Sequence, residues 1–197
     1  MEKIKLTPSQ QKVFDQLKAF VNERGQRFFI LRGYAGTGKT TLIRFLIKDL
    51  QKRGIAFQLL ASTGRAAKVM DDKVLDDRFS ARNITKHATT IHSMIYKFTG
   101  LNRDVSEQEL TAKDANGQLL LTFFATKCEN EEPQQTIYIV DEASMISDRP
   151  EINATQAKFG SGRLLSELIG YDDFPDSKYI FIGDPCQLPP VGDTSPK

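Results

Sequence analysis

The chain has 197 residues, 40% of them apolar and 26% charged, a composition that excludes a disordered or fibrous protein and suffices for a core burying roughly 70% of the unfolded surface. With 27 Lys and Arg against 25 Asp and Glu, the formal charge of +2 neither demands nor forbids a nucleic-acid partner, so any such site must be a local stripe. Cys128 and Cys186 lack metal-ligand spacing, and no run approaches the roughly 18 apolar residues of a membrane span, so structural zinc, a membrane and export are not expected and the setting is cytoplasmic.

Along the chain, the first element is a helix. Thr7 can cap it with Pro8 at the first position and Gln10 three residues after the cap; Val13, Phe14, Leu17, Phe20 and Val21 form its apolar face, and Gly25 ends it. Four short apolar runs follow: FFIL at 28–31, AFQLLA at 56–61, TIYIV at 136–140 and YIFI at 179–182. Each is too short for a helix and reads as a buried strand. Between the first two, Leu42, Ile43, Phe45, Leu46, Ile47 and Leu50 recur at helical spacing before Gly54 stops the run. This alternation predicts a parallel sheet flanked by helices. Residues 97–135 break the pattern, and the Asn116-Gly117 dipeptide predicts an inserted β-hairpin there.

Every predicted strand is followed at once by a polar motif: GYAGTGKTT, STGRAAK, DEAS and GDPCQLPPVG. Open parallel sheets bind ligands at the carboxyl ends of their strands, so four separate segments converge on one edge. The first carries the full phosphate-loop signature G-x-x-x-x-G-K-S/T between a strand and a helix. Gly33, Ala35, Gly36, Thr37, Gly38, Lys39, Thr40 and Thr41 are its candidate ATP contacts: the glycines let backbone N–H groups surround phosphate, and Lys39 reaches the β- and γ-phosphates. The Thr40 hydroxyl suits Mg²⁺, a hard, oxygen-seeking ion. Asp141 and Glu142 follow the third strand; successive side chains diverge on an extended backbone, so Asp141 is assigned to Mg²⁺ and Glu142 to the attacking water.

GYAGTGKTT, ASTGRAAK, TIHSMIY, VDEASM and GDPCQLPPVG occur in an order that resembles superfamily 1 DNA helicases, in particular their RecD-like branch. The resemblance implies a RecA-like P-loop NTPase domain, 1–96 with 136–197, interrupted by a hairpin subdomain at 97–135. It also implies ATP hydrolysis coupled to translocation on single-stranded DNA or at DNA junctions, and unwinding of duplexes. By the same resemblance Gln10 reads adenine, although a helix-start role fits it equally, and Gln187 senses the γ-phosphate. Thr63, Gly64 and Arg65 match a segment that contacts the DNA backbone, His92 matches another strand contact, and Ser62 departs from the family's usual proline. Phe123 or Phe124 could serve as a base-stacking wedge, or belong to the hairpin's own packing. The family hydrolyses ATP between two RecA-like domains, so a second domain supplying an arginine finger is an expected partner, and this chain reads as a fragment of such a motor, weakly active alone. A P-loop kinase and a nonhydrolytic nucleotide-dependent DNA-binding module remain open alternatives.

Overall fold

The computed structural model describes residues 5–74, 87–98, 123–148, 157–172 and 174–187. The chain divides into two compact units, one of Met1–Thr90, Glu131–Ile146 and Asp173–Lys197, the other of Ile91–Asn130 and Ser147–Asp172.

The first unit opens with helix α1 (Pro8–Asn22), whose start is the expected capping box: the Thr7 side chain accepts from Gln10 N, and the Gln10 side chain accepts from Thr7 N. Its end differs from the sequence expectation. The helix stops at Asn22 with Glu23 as an extended cap, and Gly25, with φ +89°, serves the turn into the next strand. In that turn the Lys178 ammonium takes the Glu23 and Gln26 carbonyls, and it lies 4.6 Å from the centre of the Phe20 ring. Strand β1 (Phe28–Arg32) follows, then helix α2 (Lys39–Arg53), closed by Gly54 at φ +66° as its left-handed cap requires. Strand β2 (Phe57–Ala61), helix α3 (Gly64–Val74) and the two-residue strand β3 (Thr89–Thr90) complete the first stretch.

The unit's remaining strands are β6 (Ile137–Asp141) and β8 (Lys178–Gly183), and all five strands form one parallel sheet in the order β1-β8-β6-β2-β3. Successive side chains of each strand alternate between the two faces of the sheet. One face sends Leu31, Leu59, Ile137, Ile139, Ile180 and Ile182 into a core with the apolar stripes of α1, α2 and α3. The other carries an aromatic ladder in which buried Tyr138 and Tyr179 stack at 4.9 Å between ring centres, with Phe28 and Phe181 beyond them. This is the parallel, helix-flanked sheet of a P-loop, RecA-like α/β fold.

The second unit holds helix α4 (Ile91–Ile95), strands β4 (Tyr96–Phe98), β5 (Phe123–Lys127) and β7 (Ala157–Phe159), and helix α5 (Leu164–Ile169). Strand β5 is central, antiparallel to β4 and parallel to β7. The hairpin turn expected at Asn116-Gly117 and the side chains of Phe123 and Phe124 lie outside what is described. Among the described residues no helix is long and apolar enough to cross a membrane.

Lys178 is 8% exposed, and burial pushes its ammonium below the ordinary lysine range while Glu23 and Asp176 pull it back up. Lys178→Met keeps the aliphatic stem and removes the donor from the Glu23 and Gln26 carbonyls. It should lower the unfolding free energy measured in urea by about 1 kcal/mol without altering the sheet's circular dichroism.

Candidate active site

The phosphate loop is a closed curl between β1 and α2. Gly33 N donates to Gly183 O at 3.2 Å, tying the start of the loop to the end of β8. Thr37 turns back on Tyr34, its N–H and hydroxyl reaching the Tyr34 carbonyl at 3.3 and 2.8 Å. Gly36 and Gly38 have φ of +77° and +88°, left-handed values that side chains disfavour, and Gly38 caps α2 so that Lys39 is its first residue. At Gly33 space is the reason for glycine: a Cβ there would stand 2.9 Å from the Thr37 hydroxyl. Lys39 folds over the curl and donates to Gly33 O at 2.5 Å and Tyr34 O at 2.9 Å. Ala35, Gly36 and Thr37 are exposed at the rim, whereas Thr40 and Thr41 are half-buried in the first helical turn.

Gln10 reaches this loop from the start of α1, donating through Nε2 to Thr37 O at 3.2 Å.

Thr40 and Asp141 line one small cavity together with Ile43, Met70 and Ile182. A threonine and an aspartate lining the same space beside a phosphate loop are oxygen-bearing residues of the kind a hard divalent cation takes when its other ligands are phosphate and water. Among the described residues no group of three or more His, Cys, Asp or Glu could hold a metal ion. Burial pushes the Asp141 carboxyl above its ordinary range, opposed by the Glu142 N–H, which it accepts at 2.9 Å, and by the charges of Lys39 and Lys73.

Glu142 leaves the strand with φ +52°, a left-handed value in a residue that has a Cβ, and starts the single 3₁₀ turn Ala143–Met145. Its Oε2 accepts a long bond, 3.4 Å, from the Ser62 hydroxyl at the end of β2. Ser144, 1% exposed, donates to Gln187 Oε1 at 2.8 Å. Gln187 stands in a tight turn after β8, where Cys186 N and Gln187 N return to the side chain and carbonyl of Asp184. The two serines were not singled out from sequence as site residues. Ser144 sits inside the DEAS motif, which was its one visible signal.

The strand-contact candidates divide between the units. Thr63, Gly64 and Arg65 are exposed at the end of β2, and the Thr63 hydroxyl caps α3 by accepting from Ala66 N at 3.2 Å. His92 belongs to the second unit, where its ring meets Phe159 edge-on at 4.9 Å and Tyr96 at 5.9 Å.

A phosphate loop, a half-buried strand-end carboxylate and a following glutamate on a parallel sheet are the parts of a P-loop nucleotide-binding domain. The chain belongs to the AAA domain family, which it matches over residues 16–193. It is 26% identical over 191 residues to an uncharacterized protein of Acanthamoeba polyphaga mimivirus, covering 93% of this chain and 33% of that protein. To an uncharacterized protein of Methanocaldococcus jannaschii it is 29% identical over 185 residues, covering 92% and 13% respectively. The chain thus spans a third or less of these relatives. The crystal structure of Pif1 helicase from Candida albicans is similar with a TM-score of 0.49 and 22% identity, over 96% of this chain and 34% of that one.

Because its pKa is raised, Asp141 ionises in the unfolded chain before it does in the folded one. Its contribution to stability therefore falls as pH rises through the window above the ordinary carboxylate range, and it is unfavourable at neutral pH. Asp141→Asn should raise the thermal midpoint at pH 7 without Mg²⁺, and should weaken Mg²⁺-dependent ATP binding by about tenfold or more. Calorimetric scans and nucleotide titrations of the same samples check both signs.

Proposed function

We propose that this chain is the ATP-hydrolysing motor domain of a DNA helicase, coupling hydrolysis to movement along single-stranded DNA and to duplex unwinding. The observation that carries the reading is the shared cavity of Thr40 and Asp141 at the foot of the Lys39 loop. In this reading Lys39 exchanges its carbonyl partners for the β- and γ-phosphates as ATP enters the curl. Thr40 and Asp141 hold Mg²⁺, which when bound neutralises phosphate charge. Glu142 orients the attacking water and accepts its proton, and Gln187, held by Ser144, stands over the γ-phosphate.

Thr63, Gly64 and Arg65 offer exposed N–H groups and a guanidinium to a DNA backbone, contacts that position a strand without reading its sequence. The hairpin expected within residues 97–135 would act at the duplex junction. Full turnover requires a second RecA-like domain, because charge developing on the transferred phosphoryl group calls for an arginine from across the site, worth about 10³–10⁵ in related enzymes.

The test is phosphate release by the full-length protein that carries this chain, with and without single-stranded DNA. DNA should stimulate release. Lys39→Ala should lower it by about 10²-fold or more, and Glu142→Gln by about 10²–10⁴-fold while ATP binding persists. Unchanged turnover in Lys39→Ala would overturn the assignment, and transfer of label from ATP to a small acceptor would make the protein a kinase.

A further inference from the structure

The side chain of Gln10 is committed at both ends. As the third residue of α1 it closes the capping box, its Oε1 accepting from Thr7 N at 3.0 Å while its own N–H donates to the Thr7 hydroxyl at 3.3 Å. With the oxygen fixed on the cap, the amide nitrogen faces the phosphate loop, 27 residues further along, and donates to Thr37 O at 3.2 Å. The loop makes room for it. A Cβ on Gly38 would lie 2.3 Å from Gln10 Nε2, so glycine at this position meets two demands, a left-handed φ and a passage for the amide.

The Thr37 carbonyl and the Gly38 N–H belong to one rigid peptide plane and point in opposite directions across it. A donor on the carbonyl therefore turns the Gly38 N–H to the side away from Gln10. A phosphate loop binds anions through the direction of its backbone N–H groups, so whatever fixes that plane fixes part of the anion site before any phosphate arrives.

We propose that Gln10 is a positioning residue of the phosphate loop, a strut from the capped start of α1 that orients the Thr37–Gly38 peptide for phosphate whatever base the nucleotide carries. This rests on reading the loop as a nucleotide site. A residue that reads adenine acts on ATP alone, whereas a strut acts equally on any ligand bearing the same phosphates.

Three probes separate these roles: ATP, GTP and inorganic tripolyphosphate, each titrated with Mg²⁺ into the full-length protein. Gln10→Met, which can neither cap nor donate to Thr37, should weaken all three by a similar factor, about three- to tenfold for the loss of one neutral hydrogen bond. Gln10→Glu keeps an acceptor for Thr7 N but cannot donate to Thr37 O, and should also weaken all three, which covers the case in which Gln10→Met does not fold. Thr7→Ala removes the hydroxyl of the cap and leaves Thr7 N on Gln10, so it should lower the thermal midpoint and leave tripolyphosphate affinity unchanged. A loss confined to ATP would overturn the strut in favour of base reading. Unchanged affinities in both Gln10 variants, or a loss in Thr7→Ala as large as theirs, would also overturn it. If instead Lys39→Ala binds ATP and tripolyphosphate as well as the unaltered protein does, it is the nucleotide-site reading that fails.

Discussion

Everything at the candidate site depends on the register of one parallel ladder. Arg32 lies opposite Gly183, Phe181 opposite Val140, and Asp141 opposite Ala61, so the four strands β1, β8, β6 and β2 end nearly level. Parallel pairing forces all four chains to leave the sheet in the same direction. The motifs that follow them therefore share an edge although they are distant in sequence, and their spatial order is not the chain order. Strands β8 and β6 lie between β1 and β2, so the phosphate loop has the Gln187 turn as its neighbour, then the Asp141–Glu142 corner, then the Thr63 segment. A slip of one residue would reverse the facing of every side chain on the shifted strand and would separate Asp141 from Thr40.

Level strand ends also let the loops brace one another. Gly33 N on Gly183 O joins the first loop to the last strand, and Ser144 on Gln187 joins the DEAS turn to the loop after β8. Glu142 holds a backbone conformation that costs about 1–2 kcal/mol in a residue other than glycine. A bend of that kind persists only where its surroundings over-determine it, here through the 3₁₀ turn on one side and Ser62 on the other.

Much of this architecture was legible in the sequence because strands buried on both faces, as β2, β6 and β8 are, appear as continuous apolar runs and because phosphate loops have a fixed spacing; β1 departs from the expected burial, with Phe28 and Ile30 exposed at the edge of the sheet. The four runs became β1, β2, β6 and β8, and the Thr7–Gln10 signature became a capping box. What escaped depends on pairings between distant residues. Strand β3 has two residues and exists only because Leu60 and Ala61 offer it an edge. The turn after α1 is held by a lysine more than 150 residues away, which takes the Glu23 and Gln26 carbonyls, and no local pattern announces such a partner. At the site, Ser62 and Ser144 stand inside motifs that the sequence shows, but their partners, Glu142 and Gln187, are distant in sequence and are brought near by the strand pairing. The parallel pairing of β5 with β7 across the DEAS segment is illegible for the same reason.

The two carbonyls that hold the Lys39 ammonium have a consequence for energetics. A lysine swinging freely in water would surrender side-chain entropy of up to roughly 2 kcal/mol on meeting a phosphate, whereas one already clamped has lost most of that freedom on folding. Under the proposed function, nucleotide capture is an exchange of partners around a charge already held in place. Its enthalpy is a difference between two sets of hydrogen bonds, and the selectivity of the loop lies in that difference: a doubly charged phosphate outcompetes two neutral carbonyls, and a neutral ligand of the same size does not.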